Sequence, residues 1–476
     1  MRGLEPTIAY EYDDLDLVQR TTDIAKRDEI DCASPFSRRL MLKLPVVSAA
    51  MDTVTGADLA IVMAEEGGLG VLHRACTIDE QVRMALRVKR AARYVIEDPR
   101  LLTPKDTVAD AYRVLDEYGV GGILVVETRG SRKLLGVLSR RDLHDEPLDR
   151  KVGALMNAGG KRALVTAAPD TALPEARRIL HAHRIEKLPL VNGDGILTGL
   201  VTESDVVKVQ KFPNATRDAE GRLVAAAAIG IEKKDCYDRA EALAAAGVDV
   251  LVIDVAHGGL ARVPALVREL SAKYPDTDIV AGNVMSEETI SPLLAAGVAG
   301  VKAGIAPGYA CRTRDVTGVG GGQLTVISEC AAAVQARKVP ICADGGIRHY
   351  GDIGKGLAAG ASTVMVGSLF AGTVESPGEV KIREDGTRVK VYRGMASASA
   401  SKVLKSLSQG TDTGETLRST PEGAELEMVL KGSVREVLWH IEKALRSTMS
   451  YIGAQTVADM PAQAIWRRKA RSGQSK

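Results

Sequence analysis

The chain alternates short apolar runs with segments in which apolar residues recur every three or four positions. Runs such as VDVLVID at 248–254 and STVMVG at 362–367 are almost continuously apolar, which is typical of strands buried on both faces of a parallel sheet. The segments between the runs, DRAEALAAAG at 238–247 among them, have the spacing of amphipathic helices. The pattern therefore predicts repeated βα units with parallel strands.

Eight such units are found once one long segment is set aside. Their apolar runs begin near Val46, Gly70, Ala225, Val250, Asp278, Gly300, Val339 and Ser362. A doubly wound open sheet is the alternative fold. Eight repeats, with glycine or polar residues at nearly every strand's carboxyl end, favour an α/β fold in which the strands close into a (β/α)8 TIM barrel.

The segment set aside, residues 98–208, would be far too long as a simple connection between the second and third strands. It carries an internal repeat, because GVLSRRDL at 136–143 recurs as GLVTESDV at 199–206, 63 residues later. Each copy follows a helical stretch and an apolar run. We therefore predict four segments: barrel 1–97, first repeat 98–150, second repeat 151–208, and the rest of the barrel 209–476.

The two copies resemble a tandem pair of cystathionine-β-synthase (CBS) modules, also called a Bateman domain. The resemblance implies that a hydroxyl and a following aspartate in each copy hold the phosphate and ribose of a purine nucleotide, ATP or GTP. The matching residues are Ser139 with Asp142, and Thr202 with Asp205. A purely structural pair that binds no ligand is the alternative.

Composition excludes several classes of partner. The 476 residues include 63 basic and 61 acidic side chains and only 3% aromatics, so we expect no nucleic-acid partner. The acidic, interrupted N-terminal stretch MRGLEPTIAYEYDDLDL leads us to expect no signal peptide, and the lack of a long apolar run leads us to expect no membrane partner. Six scattered cysteines without CxxC pairing argue against zinc and disulfides and favour a cytoplasmic location.

One cysteine, Cys311, lies in the loop KAGIAPGYACRTR directly after an apolar run. The glycines and proline of this loop bend the backbone and allow it to approach a ligand closely. Lys302, Arg312 and Arg314 add positive charge, which favours the nucleophilic thiolate over the thiol. A small buried hydrophobe is the alternative role for a cysteine, but the loop favours Cys311 as a nucleophile.

The carboxyl ends of barrel strands carry the chemistry of this fold, so the strand ends name further candidates. Ser48, Asp254 and Asn283 lie at such ends, as does the Asp344-Gly345-Gly346 turn. That turn and Gly367-Ser368 offer main-chain N–H groups of the kind that bind phosphate. Asp344 can accept two hydroxyl hydrogen bonds from a ribose diol, although a helix cap would also place an aspartate there.

The motifs VVSAAMDTVT, EEGGLGVLHR, ADGGIR, VMVGS and YRGM, together with the cysteine loop, resemble the IMP dehydrogenase and GMP reductase family over nearly the whole chain. The resemblance implies that Cys311 attacks C2 of a purine 5′-monophosphate and that a nicotinamide cofactor exchanges hydride with that carbon. It implies substrate contacts from Ser48, Asp344, Gly345, Gly346, Gly367, Ser368, Tyr392, Gly394, Met395 and Gly423, and cofactor contacts from Asp254, Val255, Ala256 and Asn283.

The resemblance also implies a potassium ion held by the carbonyls of Ala306, Gly308 and Cys311. The family usually has glycine at position 306, and a phosphate-binding serine where this chain has Tyr309. Homotetramers, sometimes paired into octamers, are the assemblies that the family implies.

The two branches of the family need different chemistry. A dehydrogenase must activate water, whereas a reductase must protonate departing ammonia and keep water out. The expected mobile flap, about 396–432, lacks the Arg-Tyr pair of dehydrogenases, and residues 396–438 contain no aromatic side chain. The flap resembles the reductase form and supplies Glu422, which we expect to form a proton relay with Thr313.

We therefore predict a GMP reductase that uses NADPH to convert GMP to IMP. NAD-dependent IMP dehydrogenase is the alternative, because the CBS insert is usual in dehydrogenases and rare in familiar reductases. A catalytically inactive nucleotide sensor is a third interpretation.

Overall fold

The computed structural model describes residues 7–91, 95–96, 99–118, 121–158, 164–171, 173–203, 206, 211–305, 307–408 and 420–469. The chain forms two compact units: residues 1–91 with 214–476, and residues 92–213. The described part contains no helix that is both long and apolar enough to cross a membrane.

The first unit is a closed barrel of eight parallel strands, which confirms the predicted TIM barrel. We number its strands β1 Val46–Ser48, β2 Leu69–Leu72, β3 Ala226–Ile229, β4 Val250–Asp254, β5 Asp278–Val284, β6 Gly300–Ala303, β7 Ile341–Asp344 and β8 Thr363–Val366. Each strand pairs with the next one along the chain, and β8 pairs with β1 to close the ring. The inserted unit leaves the chain between β2 and β3 without disturbing their pairing.

A helix follows each barrel strand and covers the outside of the ring. These helices are α1 Ala57–Glu65, α2 Ile78–Arg90, α3 Lys233–Ala245, α4 Arg262–Lys273, α5 Glu287–Ala295, α6 Gln323–Val334, α7 Tyr350–Ala358 and α8 Val434–Ile452. Helix α2 shows why a helix begins where it does, because Thr77 and Glu80 form a reciprocal capping box at its start. Such a box satisfies backbone N–H groups that have no partner within the helix.

Alternate residues of each strand fill the barrel interior. Val250 and Val252 of β4 point inward and join Val71, Ala228 and Val280 in one buried cluster. This explains the continuous apolar runs, because the opposite faces of the same strands pack under the helices. The inward-facing side chains make the barrel a packed core, so a ligand must bind at an end of the strands.

Shorter elements of the barrel unit surround the ring. The strands are Leu15–Leu17, Ser34–Pro35, Met41–Leu42, Lys381–Ile382, Arg388–Arg393, Glu425–Val429 and Trp466–Arg468; the α-helices are Thr313–Thr317, Ala398–Ser408 and Met460–Gln463; the 3-10 turns are Arg27–Glu29, Gln335–Arg337 and Val457–Asp459. The first and last of these strands pair with each other. Strand 388–393 lies between its two neighbours in a three-stranded sheet.

The second unit repeats one pattern of elements. In the first half, helix Val108–Tyr118 precedes strands Gly122–Val126 and Leu134–Ser139 and the short helix Arg140–Leu143. In the second half, helix Leu173–His183 precedes strands Lys187–Val191 and Leu197–Thr202. Strands Val95–Ile96 and Leu101–Leu102 each complete a three-stranded sheet, and helix Val152–Ala158 ends the first half. The internal sequence repeat thus has a matching structural repeat.

Candidate active site

The Cys311 loop leaves β6 at the carboxyl end of the barrel. The Cys311 N–H donates to the carbonyl of Gly308 (3.0 Å), so the loop makes a tight turn just before the thiol. Cys311 is partly exposed, whereas the other five cysteines are buried. Burial raises the pKa of Cys32 and Cys76 to about 11 and that of Cys330 and Cys342 to about 12. Those four thiols stay protonated at neutral pH. Because all five other cysteines are buried, Cys311 is the cysteine that a ligand can reach.

Three side chains are in contact around this thiol. The Cys311 thiol donates to Thr313 Oγ1 (3.2 Å), and the Thr313 hydroxyl donates to Glu422 Oε2 (2.8 Å). A carboxyl and a hydroxyl can share a proton-transfer role only when they touch. The structure brings Thr313 and Glu422 into that contact beside Cys311.

Backbone pairing holds Glu422 in this position. The Arg312 N–H donates to the Glu422 carbonyl (2.7 Å), and the Ala424 N–H donates to Ala310 O (2.8 Å), so the two segments lie antiparallel around the Cys311–Gly423 bridge. A Cβ at Gly423 would lie 2.6 Å from the Ser397 nitrogen. Glycine is therefore required where the flap crosses the chain near residue 397.

The residues predicted to contact the base lie beside the same crossing. A Cβ at Gly394 would come within 2.9 Å of the Ala310 carbonyl, and the Gly394 N–H donates to Ala424 O (3.0 Å). Met395 follows in the turn and is partly exposed. The YRGM segment, the flap and the cysteine loop thus meet at one place.

The turn after β7 has the form that its sequence predicts. Gly345 and Gly346 have φ angles of +91° and +83°, a region that other residues rarely adopt. A Cβ on Gly345 would approach Pro307 Cγ to 2.9 Å, so this turn packs closely on the cysteine loop. The cavity at this place measures ≈ 400 Å³ and is lined in part by Cys311, Gly346 and Arg348.

The end of β8 is close to a buried tyrosine. A Cβ on Gly367 would lie 3.1 Å from the Tyr392 hydroxyl, and Tyr392 is 4% exposed. Burial raises the pKa of Tyr392, so its hydroxyl stays protonated and can donate to an anion. The Ser368 hydroxyl donates to the Ile347 carbonyl (3.2 Å), which ties the β8 turn to the β7 turn.

The positive charge of Lys302 is not directed at the thiol, contrary to the expectation from sequence. Its ammonium lies 2.7 Å from Asp254 Oδ1 and 2.6 Å from Asp344 Oδ2. Lys302 belongs to β6 and points into the barrel, because strand residues alternate between the two faces. Arg314 likewise pairs with Glu11 (2.6 Å). Their proximity to Cys311 in the sequence therefore gave a wrong prediction of what these two cations contact: both pair with carboxylates.

Asn283 links the ends of β5, β6 and β7. Its side-chain amide donates to the Gly304 carbonyl (2.8 Å) and to Asp344 Oδ2 (3.0 Å). Its Oδ1 is buried and has no hydrogen-bond partner within the described part of the chain. Val255 lies beside it, since the Asn283 N–H donates to Val255 O (2.8 Å). Ala256 follows in the same loop after β4.

Of the remaining candidates, one is buried, two are not described and three lie in the two repeats. Ser48 is fully buried and accepts a hydrogen bond from the Thr55 hydroxyl (2.8 Å). Asp205 and Ala306 lie outside the described residues. Ser139 and Asp142 form a helix cap, in which the Ser139 hydroxyl donates to Asp142 Oδ2 (2.7 Å). Thr202 ends the equivalent strand of the second repeat.

The N-terminal segment was missed by sequence reasoning. Glu11 accepts from the Gln323 N–H (2.9 Å) at the start of α6, and Tyr12 is 4% exposed against Gly346. Both residues line the cavity that contains Cys311. Two tyrosines in AYEYDD, in a chain with only 3% aromatics, were the available signal.

Tyr309, which replaces the serine usual in the family, is half exposed. The guanidinium of Arg348 lies over its ring, 5.7 Å from the centroid. This is within the range of a cation–π contact. The structure thus places the Arg348 cation next to the Tyr309 ring, beside the β7 turn.

Fold and site together define a (β/α)8-barrel protein with a reachable thiol, a contacting hydroxyl and carboxylate, and glycine turns at the carboxyl ends of its strands. The profile of the IMP dehydrogenase / GMP reductase domain matches residues 9–476, and the chain belongs to that family, whose members are oxidoreductases.

Its relatives carry both names of the family. An inosine-5′-monophosphate dehydrogenase of Nitrosopumilus maritimus is 40% identical, over 97% of this chain and 96% of that protein. One of Streptococcus pyogenes is 42% identical, over 95% and 91%. The structure of a cysteine-to-alanine variant of a Trypanosoma brucei GMP reductase with guanosine 5′-monophosphate is 36% identical, with a TM-score of 0.88, over 98% of this chain and 97% of that one. The same reductase with guanosine 5′-triphosphate has a TM-score of 0.80 at 34% identity, over 98% and 99%.

Proposed function

We propose that the protein is a GMP reductase, which converts GMP to IMP and ammonia with NADPH as hydride donor. The observation that carries the proposal is the contact chain from Cys311 through Thr313 to Glu422. It provides a nucleophile in contact with a proton-donor pair, and both are needed to expel an amine.

Each residue of this contact chain has one task. The Cys311 thiolate adds to C2 of the purine, and the amino group on that carbon leaves as ammonia after Glu422 has supplied a proton through Thr313. The remaining Cys311 thioimidate then accepts hydride at C2, and the thiolate departs to leave IMP. Glu422 ends the sequence deprotonated and takes a proton from solvent, so protons balance over the cycle.

The nucleotide is held by the strand ends around Cys311. Asp344 accepts the ribose hydroxyls, and the phosphate lies on the N–H groups of the two glycine turns with the Tyr392 hydroxyl. The full proposed set is Ser48, Asp344, Gly345, Gly346, Gly367, Ser368, Tyr392, Gly394, Met395 and Gly423. Close packing at Gly345 and Gly394 supports it, because side chains there would fill the space beside the thiol.

The ends of β4 and β5 fit a nicotinamide group. The buried Oδ1 of Asn283 lacks a partner within the described residues, and an unpaired buried acceptor is costly. A carboxamide N–H₂ is a donor that would satisfy it, and Asp254, Val255 and Ala256 surround the same place. NADPH supplies hydride when it is bound there.

IMP dehydrogenase is the second candidate, and it is favoured by the names of the curated relatives. Against it, residues 396–438 contain no aromatic side chain to take part in activating water. The CBS-type insert no longer favours the dehydrogenase, because the Trypanosoma brucei reductase matches over 98% of this chain. We therefore retain the reductase.

Initial rates with purified protein separate the two reactions. GMP with NADPH should consume the reduced cofactor, whereas IMP with NAD should produce none. Turnover in the second mixture alone would replace the proposal with the dehydrogenase. A sensor without catalysis would turn over neither mixture.

Regulation, metal binding and assembly are further parts of the same proposal. The two repeats bind ATP or GTP at Ser139, Asp142, Thr202 and Asp205, potassium binds the carbonyls of Ala306, Gly308 and Cys311, and the protein forms homotetramers or octamers. A reductase assay titrated with ATP, GTP and KCl, together with light scattering, tests these parts.

A further inference from the structure

Lys302 is the central side chain of a buried charge cluster that joins two proposed subsites. It is 2% exposed, and its ammonium reaches Asp254 at the end of β4 and Asp344 at the end of β7, at 2.7 and 2.6 Å. The three residues come from strands that are not all neighbours, because β5 lies between β4 and β6. Lys302 therefore connects the end of β4 with the end of β7, three strands further round the barrel.

The path of the Lys302 side chain is fixed by its surroundings. A Cβ on Gly282 would lie 2.5 Å from the Lys302 Cβ, so β5 packs directly on the base of the side chain. Met365 Sδ lies 3.8 Å from the ammonium on the other side. A side chain enclosed in this way has little freedom to place its charge elsewhere.

The cluster holds two carboxylates and one ammonium. Burial alone would lower the pKa of Lys302, but attraction to Asp254 and Asp344 outweighs it and raises that pKa. Lys302 therefore stays charged at every physiological pH. Without that charge the two carboxylates would repel each other, and buried like charges move apart or take up a proton.

Each contact uses one carboxylate oxygen. Lys302 and Asn283 both bind Oδ2 of Asp344, and Oδ1 of Asp344 has no protein partner in the described part of the chain. The free oxygen belongs to the carboxylate that we assign to the ribose. Its direction is set by what holds Oδ2.

We propose that Lys302 is a positioning residue, which orients Asp344 for the nucleotide ribose and ties it to Asp254 on the hydride-donor side. Lys302 itself does not contact the nucleotide. The inference rests on the proposed function for the roles of the two aspartates, and it holds for either branch of the family because both bind a purine 5′-monophosphate.

A second buried lysine provides a matched control. Lys89 is 3% exposed and also lies between two aspartates, Asp218 at 2.9 Å and Asp249 at 2.5 Å. Asp249 precedes β4, at the opposite end of the strand from Asp254. Lys89, in helix α2, therefore belongs to the cluster at the amino end of β4, and Lys89→Met removes an equally buried charge far from the proposed site.

The test is an equilibrium titration of the full chain with GMP, with affinity expressed per folded molecule. Lys302→Met is expected to weaken GMP binding at least about tenfold, since truncating one partner of a buried charge pair has effects of that size or larger. Lys89→Met should leave GMP affinity within about twofold. Lys302→Gln keeps a hydrogen-bond donor but also removes the charge, so it should weaken GMP binding as much as Lys302→Met. It replaces Lys302→Met in the test if Lys302→Met fails to fold.

A double-mutant cycle separates positioning from a general structural role. If Lys302 acts through Asp344, adding Lys302→Met to Asp344→Asn should cost less than about twofold further affinity. Additive losses, or unchanged GMP binding in both Lys302 variants, would overturn the inference. Absence of reductase turnover in the wild type, with GMP binding and the cycle as expected, would reject the reductase proposal alone.

Discussion

The two ends of β4 carry buried lysine–aspartate clusters of almost the same composition. At the carboxyl end, Lys302 binds Asp254 and Asp344; at the amino end, Lys89 binds Asp218 and Asp249. Both lysines are nearly inaccessible, at 2% and 3% exposure. The same chemistry therefore occurs twice, at the two faces of one barrel.

The clusters differ in what else binds their carboxylates. At the amino end, Asp249 accepts the Ala225 N–H (2.7 Å) and Asp218 accepts from Arg222 Nε (2.7 Å), so the carboxylates pin the loop that leads into β3. At the carboxyl end, the cluster lies beside the Asn283 oxygen that has no partner among the described residues. The comparison teaches that a buried ion pair becomes part of a site only where its neighbours leave hydrogen-bonding groups for a ligand.

Cys311→Ala, at the carboxyl end of the barrel, should have the largest effect on turnover of all the variants. Removing the nucleophile should lower GMP reductase turnover by about 10⁴-fold or more, since loss of a covalent catalyst has effects of this order. Steady-state rates with GMP and NADPH measure it. The matched control is Cys330→Ala, a fully buried cysteine in α6, which should reduce stability and leave turnover per folded molecule unchanged. Equal losses in both variants would contradict the assignment.

Glu422→Gln should have the next largest effect. The amide cannot deliver the proton that Thr313 passes on, so kcat should fall by about 10²- to 10³-fold while the KM for GMP changes little. Glu425→Gln is the control, because Glu425 lies in the same segment but contacts Ser399 (2.6 Å) instead of Thr313. Similar rates for Glu422→Gln and wild type would remove Glu422 from the relay.

The barrel was predictable because its signal is local. Each strand is an apolar run and each helix has its own spacing, and all eight predicted runs became barrel strands. The Cys311 loop and the glycine turns were found in the same way, since a positive φ at position 345 requires glycine at that position.

The partners of Lys302 were not predictable from spacing. Lys302 lies nine residues before Cys311 in the chain, yet strand alternation turns it into the barrel toward residues 48 positions earlier and 42 later. Tyr12 presents the same difficulty, because it reaches Gly346 from the far end of the chain. Contacts of this kind depend on closure of the ring, which no local pattern encodes.

Lys89→Met should affect stability and leave the chemistry intact. Breaking a buried charge pair from one side costs about 3 kcal/mol or more, because Asp249 would lose the lysine with which it pairs and Asp218 would keep only Arg222. Urea unfolding of the barrel unit measures the loss, and turnover per folded molecule should not change. Lys443→Met, at an exposed pair with Asp28 (3.6 Å), should cost less than about 1 kcal/mol. A fall in reductase rate in folded Lys89→Met would show that the two faces are not independent.

The smallest expected effect concerns His73 at the end of β2. Burial lowers the pKa of His73, with Asp52 and Glu80 opposing it, and the side chain is 8% exposed. A histidine of this kind is neutral in the folded state but binds a proton in the unfolded state below pH about 6.5, so stability should be full above that pH and fall as the pH drops. His73→Gln should therefore flatten the decline in the free energy of unfolding between pH about 6.5 and 5, by at most about 1.4 kcal/mol per pH unit. An unaltered slope in His73→Gln would mean that acid sensitivity arises from other groups of the barrel.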